Sequence, residues 1–134
     1  MLQTERPTLM KALGNMKVVA FDPTMSRVEL EVEGYEAITH SGGIVQGGFV
    51  TAWLDEAMAH CLKCSDIDLG PATLEIKVNF LRPATIAKYQ VIAWIPHMGR
   101  SLAFFEAELR DQDGQLVATA TSTAKLVALP DWTN

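Results

Sequence analysis

The chain has 134 residues, is 49% hydrophobic and carries a formal charge of −5, which is enough length for one domain with a buried core. Net acidity argues against nucleic acid as a general partner, because phosphate binding draws on clustered lysine and arginine. The first fifteen residues lack the basic head and apolar run of a secretory signal, and no stretch has the length of a membrane span. The expectation is therefore a single domain over residues 1–134, cytoplasmic, with no membrane partner.

In chain order, a short helical opening is predicted from about Arg6 to Leu13, stopped by Gly14. Lys17–Phe21 and Ser26–Glu33 read as strands separated by a turn at Asp22-Pro23. In the second, Val28, Leu30 and Val32 alternate with charged residues, the period of a sheet with one wet face. The glycine-rich run His40-Ser41-Gly42-Gly43-Ile44-Val45-Gln46-Gly47-Gly48 then leads into a segment, Phe49–Leu62, with helical spacing at Val50, Trp53, Leu54, Ala57, Met58 and Cys61. Four extended runs follow: Ala72–Leu81, Lys88–Ile95, Ser101–Arg110 and Gln115–Leu126. Pro83, Met98-Gly99-Arg100 and Asp111-Gln112-Asp113-Gly114 supply the turns. This order gives an α+β fold, an antiparallel sheet around one long helix, since loops this short leave no room for a helix between successive strands. Long strands expose sheet edges, which a second copy of the chain would cover.

The chemistry concentrates where the glycines meet the helix. Bare N–H groups at a helix start carry the positive end of the dipole and stabilise an oxygen that gains negative charge. Gly47 and Gly48 supply such groups, or else form only a flexible turn. Asp55 is the candidate base or nucleophile; it sits among Trp53, Leu54, Ala57 and Met58, an apolar setting unlike that of a solvated helix carboxylate. Glu56 beside it reads as surface-facing or structural. Gly47 and Asp55 are eight positions apart, so about 12 Å separates them along the helix axis. One chain cannot bring both to one carbonyl, and the expectation is a site shared between protomers across a two-fold axis.

Cys61-x-x-Cys64 could be a redox pair or half of a zinc site, but no second pair completes a tetrahedral zinc site, and both cysteines fall on the last turn of the helix, where cysteine often serves as a small buried apolar residue. The reading is structural, with no metal and no cofactor. His60 reads as an exposed or core histidine. Five steps on a helix turn it about 140° from Asp55, so the pair does not face one substrate as a hydratase dyad would.

Taken together, the Gly47-Gly48 helix start, Leu54-Asp55-Glu56-Ala57, Asn79-Phe80-Leu81-Arg82-Pro83-Ala84, Gly99-Arg100-Ser101 and Asp113-Gly114-Gln115-Leu116-Val117-Ala118 resemble, in order and spacing, the hotdog-fold thioesterases. The resemblance is to the phenylacetic-acid-degradation type of acyl-coenzyme A thioesterase and spans nearly the whole chain. It implies a curved sheet wrapped around the helix, dimers that often pair into tetramers, and hydrolysis of an aryl- or medium-chain-acyl coenzyme A thioester. In this scheme Gly47 donates to the thioester oxygen and Asp55 is the catalytic carboxylate. Thr73 stands where members often hold a serine that places the attacking water. His40 stands where many have asparagine, and Gln46 where many have histidine; both keep hydrogen-bonding capacity, His40 to hold water and Gln46 to orient the carbonyl. His40 reads equally well as a polar loop residue.

Coenzyme A enters as part of the substrate. Arg82 and Arg100 are candidates for its phosphates, with Gly48, Gly99 and Ser101 offering further contacts, and Phe80, Met98 and Leu102 for its pantetheine or acyl channel. Surface charge and ordinary core packing are the competing readings of the same residues. A hotdog domain that binds acyl thioesters without turnover is the alternative function.

Overall fold

Burial of alternate residues organises the sheet. The computed structural model describes residues 8–128. Its elements are α1 (Leu9–Ala12), β1 (Lys17–Asp22), β2 (Arg27–Glu33), a 3-10 turn (Glu36–Ile38), β3 (Thr39–His40), β4 (Ile44–Val45), α2 (Gly47–Cys64), β5 (Leu69–Phe80), β6 (Lys88–Met98), β7 (Leu102–Arg110) and β8 (Leu116–Ala128). Six strands form one antiparallel sheet in the order β1-β2-β6-β7-β8-β5, and β3 and β4 make a separate small hairpin. All pairings are antiparallel, and α2 packs on β2, β5, β6 and β7. The α+β expectation holds.

Small residues at the centre of the sheet make room for the helix. Ala93, Ala107 and Ala120 are register partners across β6, β7 and β8, and all three are buried. Trp53, Leu54, Met58 and Cys61 of α2 fill the space above, each no more than 2% exposed. Fully burying side chains of this size contributes roughly 1.5–3 kcal/mol each before entropy is counted. The Trp53 indole N–H would be costly to bury alone, and it donates to the Leu13 carbonyl at 2.6 Å.

The opening helix is shorter than expected, a single turn capped by Thr8, whose hydroxyl accepts from the Lys11 N–H at 3.2 Å. Arg6 lies outside the described residues. Gly14 ends the turn at φ +124°, with a Cβ there falling 2.1 Å from the Glu33 carbonyl oxygen. The hairpin β3–β4 and the 3-10 turn were not expected. Two-residue strands carry too little alternation to register as a period.

One irregularity bears on function. Along β5, Ile76, Val78 and Phe80 pair with Ser122, Ala120 and Ala118, and Ala118, Ala120 and Ser122 are buried. Simple alternation would send Leu74 inward and Thr73 outward. A bulge between Thr73 and Glu75 reverses this, because Thr73 pairs with buried Ala124 and Leu74 is left over. Leu74 is accordingly 60% exposed, and Thr73 faces the helix.

Candidate active site

The head of α2 is built to leave one amide free. Gln46 is the N-cap, and its side-chain oxygen accepts from the Gly48 N–H at 2.9 Å. The Phe49 and Val50 amides turn back to the Gln46 carbonyl at 2.9 and 3.3 Å. That leaves the Gly47 N–H without a protein acceptor among the described residues, at the positive end of an 18-residue helix. The resemblance implies that Gln46 orients a carbonyl; its side-chain oxygen caps the helix, and a carbonyl would be met by its NH2 group.

Around this amide lies an open cleft of about 360 Å³ whose walls include His40, Ile44, Gly47, Phe80, Leu81 and Arg82. The Phe80 ring sits over Gly47, 3.4 Å from where a Cβ would stand. His40 is held in place through its hairpin: it pairs with Ile44, the Gln46 amide donates to the Ile38 carbonyl at 2.9 Å, and the Val45 amide to the Ala84 carbonyl at 2.7 Å. The Arg82 guanidinium donates to the Gln115 side chain.

Two turns along the helix is a second cluster. The Thr73 hydroxyl donates to Asp55 Oδ1 at 3.0 Å, which steadies the carboxylate and leaves Oδ2 without a partner among the described residues. Asp55 is half-buried in the protomer, less enclosed than its apolar sequence neighbours suggested. The β6–β7 hairpin is at the same end of the sheet, since Met98 pairs with Ala103, Ala103 with Ala124 and Ala124 with Thr73. Two to three strand spacings put it roughly 10 to 14 Å to the side. Gly99 closes this turn through its amide to the Leu102 carbonyl at 2.8 Å, and the Leu126 amide binds the Ser101 carbonyl at 2.9 Å.

The candidate residues thus form two groups about two turns apart along one helix. His40, Gln46, Gly47, Gly48, Phe80 and Arg82 gather at its start; Asp55 and Thr73, with Met98, Gly99, Arg100 and Ser101 further out, gather at its middle. The edge strand joining the two groups is β5.

Glu56 was read as surface-facing or structural, and it is structural. Its carboxylate lies 3.3 Å from His60 Nδ1, with side chains 19% and 8% exposed. Burial raises the Glu56 pKa, with the His60 interaction pulling the other way and the Asp55 charge adding to the rise. Burial and the nearby Cys64 push the Cys61 thiol up to about 12, so it is an inert core residue. No cluster of three or more His, Cys, Asp or Glu able to hold a metal occurs among the described residues, and no described helix is long and apolar enough to cross a membrane.

Residues 42–118 match the family model described as the thioesterase superfamily, more than half of the chain. The chain belongs to the thioesterase superfamily. A phenylacetic acid degradation-related protein from Ralstonia eutropha JMP134 superposes over 91% of this thioesterase and 92% of its own length, with 31% identity and a TM-score of 0.81. A Streptococcus mutans UA159 protein, solved bound to acetyl CoA, shares the fold at 21% identity and a TM-score of 0.76, covering 85% of this chain and 90% of that one. A Saccharolobus solfataricus protein that carries the word esterase in its name is 27% identical over 94 residues, 70% of this chain and 67% of the relative. The fold is the hotdog fold, and the protein is a thioester hydrolase of the phenylacetic-acid-degradation type.

Proposed function

We propose that this thioesterase hydrolyses acyl-coenzyme A thioesters, with aryl or medium-chain acyl groups, at sites completed between two protomers. The observation that carries this is the Asp55–Thr73 bond, because it presents an oriented carboxylate and a hydroxyl oxygen able to accept from water. A thioester is an activated acyl group, and its leaving thiol has a pKa near that of cysteine, about 8.5. Expelling it demands little acid catalysis, so one carboxylate and one amide donor suffice. In the proposed reaction the Gly47 N–H binds the thioester oxygen while Asp55 either activates water or attacks to form a mixed anhydride.

The separation of these two groups supports a shared site. One side of β5 carries unpaired backbone groups among the described residues, and an antiparallel pairing of β5 with its copy lays the Phe80 end of one strand beside the Thr73 end of the other. That operation carries the Gly47 cleft of one subunit towards the Asp55 of its neighbour. It also brings Arg82 and the Arg100 hairpin towards one mouth, where both would meet the nucleotide phosphates. The acetyl CoA held by the Streptococcus mutans protein is consistent with this substrate class. We place the enzyme in the cytosol as a dimer or a dimer of dimers, needing no cofactor beyond the coenzyme A of its substrate.

A panel of acyl-coenzyme A esters assayed for thiol release tests the reading, with Asp55→Asn as the control. Turnover that collapses in the variant while ester binding survives supports hydrolysis at this site. Binding without turnover in the unaltered protein supports the non-catalytic alternative.

A further inference from the structure

His40 is set up as a donor whose capacity depends on its charge. Its Nδ1 lies 3.0 Å from the Ser41 carbonyl oxygen, and a carbonyl has no proton to give, so Nδ1 carries the hydrogen. When the ring is neutral, Nε2 is then a lone pair, which repels a thioester oxygen. When the ring is protonated, Nε2–H becomes a charged donor. The two states have opposite effects on a carbonyl in the cleft that His40 lines together with Gly47.

The Gly48 amide is taken by Gln46 and one Arg82 N–H donates to the Gln115 side chain, while the Gly47 N–H and the exposed His40 ring line the same cleft. We propose that His40 is a catalytic residue that donates from imidazolium Nε2–H to the thioester oxygen, making hydrolysis fall as the ring loses its proton. This rests on the proposed hydrolase reading. The proton stays on the ring and only the hydrogen bond strengthens as negative charge grows on the oxygen. Arg82 is the other charged group on the walls of this cleft, and in the proposed shared site the neighbouring subunit adds its Asp55 carboxylate.

The test is the pH dependence of kcat/KM between about pH 5 and about pH 9, an interval that brackets imidazole titration, for the intact enzyme and for His40→Asn. Asparagine keeps an uncharged N–H donor at every pH in this range. The intact enzyme is expected to lose activity on the alkaline side by up to about tenfold per pH unit before reaching a floor set by Gly47 alone, and His40→Asn to lack that limb. Nitrogen NMR of the ring at neutral pH gives a readout independent of turnover, with a protonated Nδ1 and a bare Nε2 expected in the uncharged form. Turnover with identical pH profiles in the two proteins, or a ring protonated on Nε2 alone, overturns the role of His40 and leaves the hydrolase reading standing. Absence of thiol release from every ester at every pH overturns both.

Discussion

The hydroxyl of Thr73 reaches Asp55 because β5 carries an extra residue at Leu74. The bulge puts Thr73 in phase with Ile76 and Val78, on the helix side, and turns Leu74 out to solvent. Asp55→Asn is expected to lower kcat at least 100-fold with little change in melting temperature, the scale of losing a main electrostatic or proton-transfer group. Thr73→Ala is expected to cost less, about tenfold, and Thr73→Ser to restore most of it, because serine keeps the hydroxyl. Steady-state kinetics of the three variants checks this ordering.

Gly47 and Gly48 are adjacent yet should respond oppositely to substitution. Gly47 is the first helical residue, where proline is well tolerated, and Gln46 before it has φ −62° and ψ 137°, compatible with a following proline. Gly47→Pro removes the free N–H while sparing the helix, so activity should drop 100-fold or more with stability nearly unchanged. Gly48→Ala brings a Cβ to 2.7 Å from the Gln46 side-chain oxygen. The cap must move, at an expected cost of about 1 kcal/mol in stability. Thermal denaturation beside kinetics separates the two effects.

The sequence shows most of the architecture, and the reasons are physical. The period-two burial in β2 and the 3.6-residue stripe of Val50, Trp53, Leu54, Ala57, Met58 and Cys61 are strong because each element buries one face. The β3–β4 hairpin was invisible because two residues make no period. The Thr73–Asp55 bond had no signal in alternation, since alternation places Thr73 outside; only the resemblance to the hotdog thioesterases pointed to that position. Helix capping by the Gln46 oxygen had no signal in the sequence, because backbone geometry rather than residue type decides it.

Glu56 should leave a mark on stability. Its pKa is raised in the folded protein, chiefly by burial, above the ordinary 4.5. The folded state therefore holds this proton more tightly than the unfolded chain, and the associated stability is present below about pH 4.5 and lost as pH rises through the folded value. Glu56→Gln removes that dependence. Its melting temperature relative to the unaltered protein should rise between about pH 4.5 and neutrality, measured at matched ionic strength.

Cys61 should resist alkylation. A buried thiol pushed up to about 12 holds almost no thiolate at neutral pH, so iodoacetamide should leave it unmodified in the native protein and label it promptly after denaturation. Mass measurement after peptide digestion distinguishes it from Cys64.

Subunit complementation tests the shared site most directly. Gly47→Pro and Asp55→Asn proteins, each nearly inactive, are unfolded together in equal amounts and refolded. If the free amide and the carboxylate come from different protomers, random pairing regenerates about a quarter of the sites in unaltered form, and thiol release from an acyl-coenzyme A ester should recover to about that fraction. Mixed dimers verified by mass that stay as inactive as either parent would contradict the account.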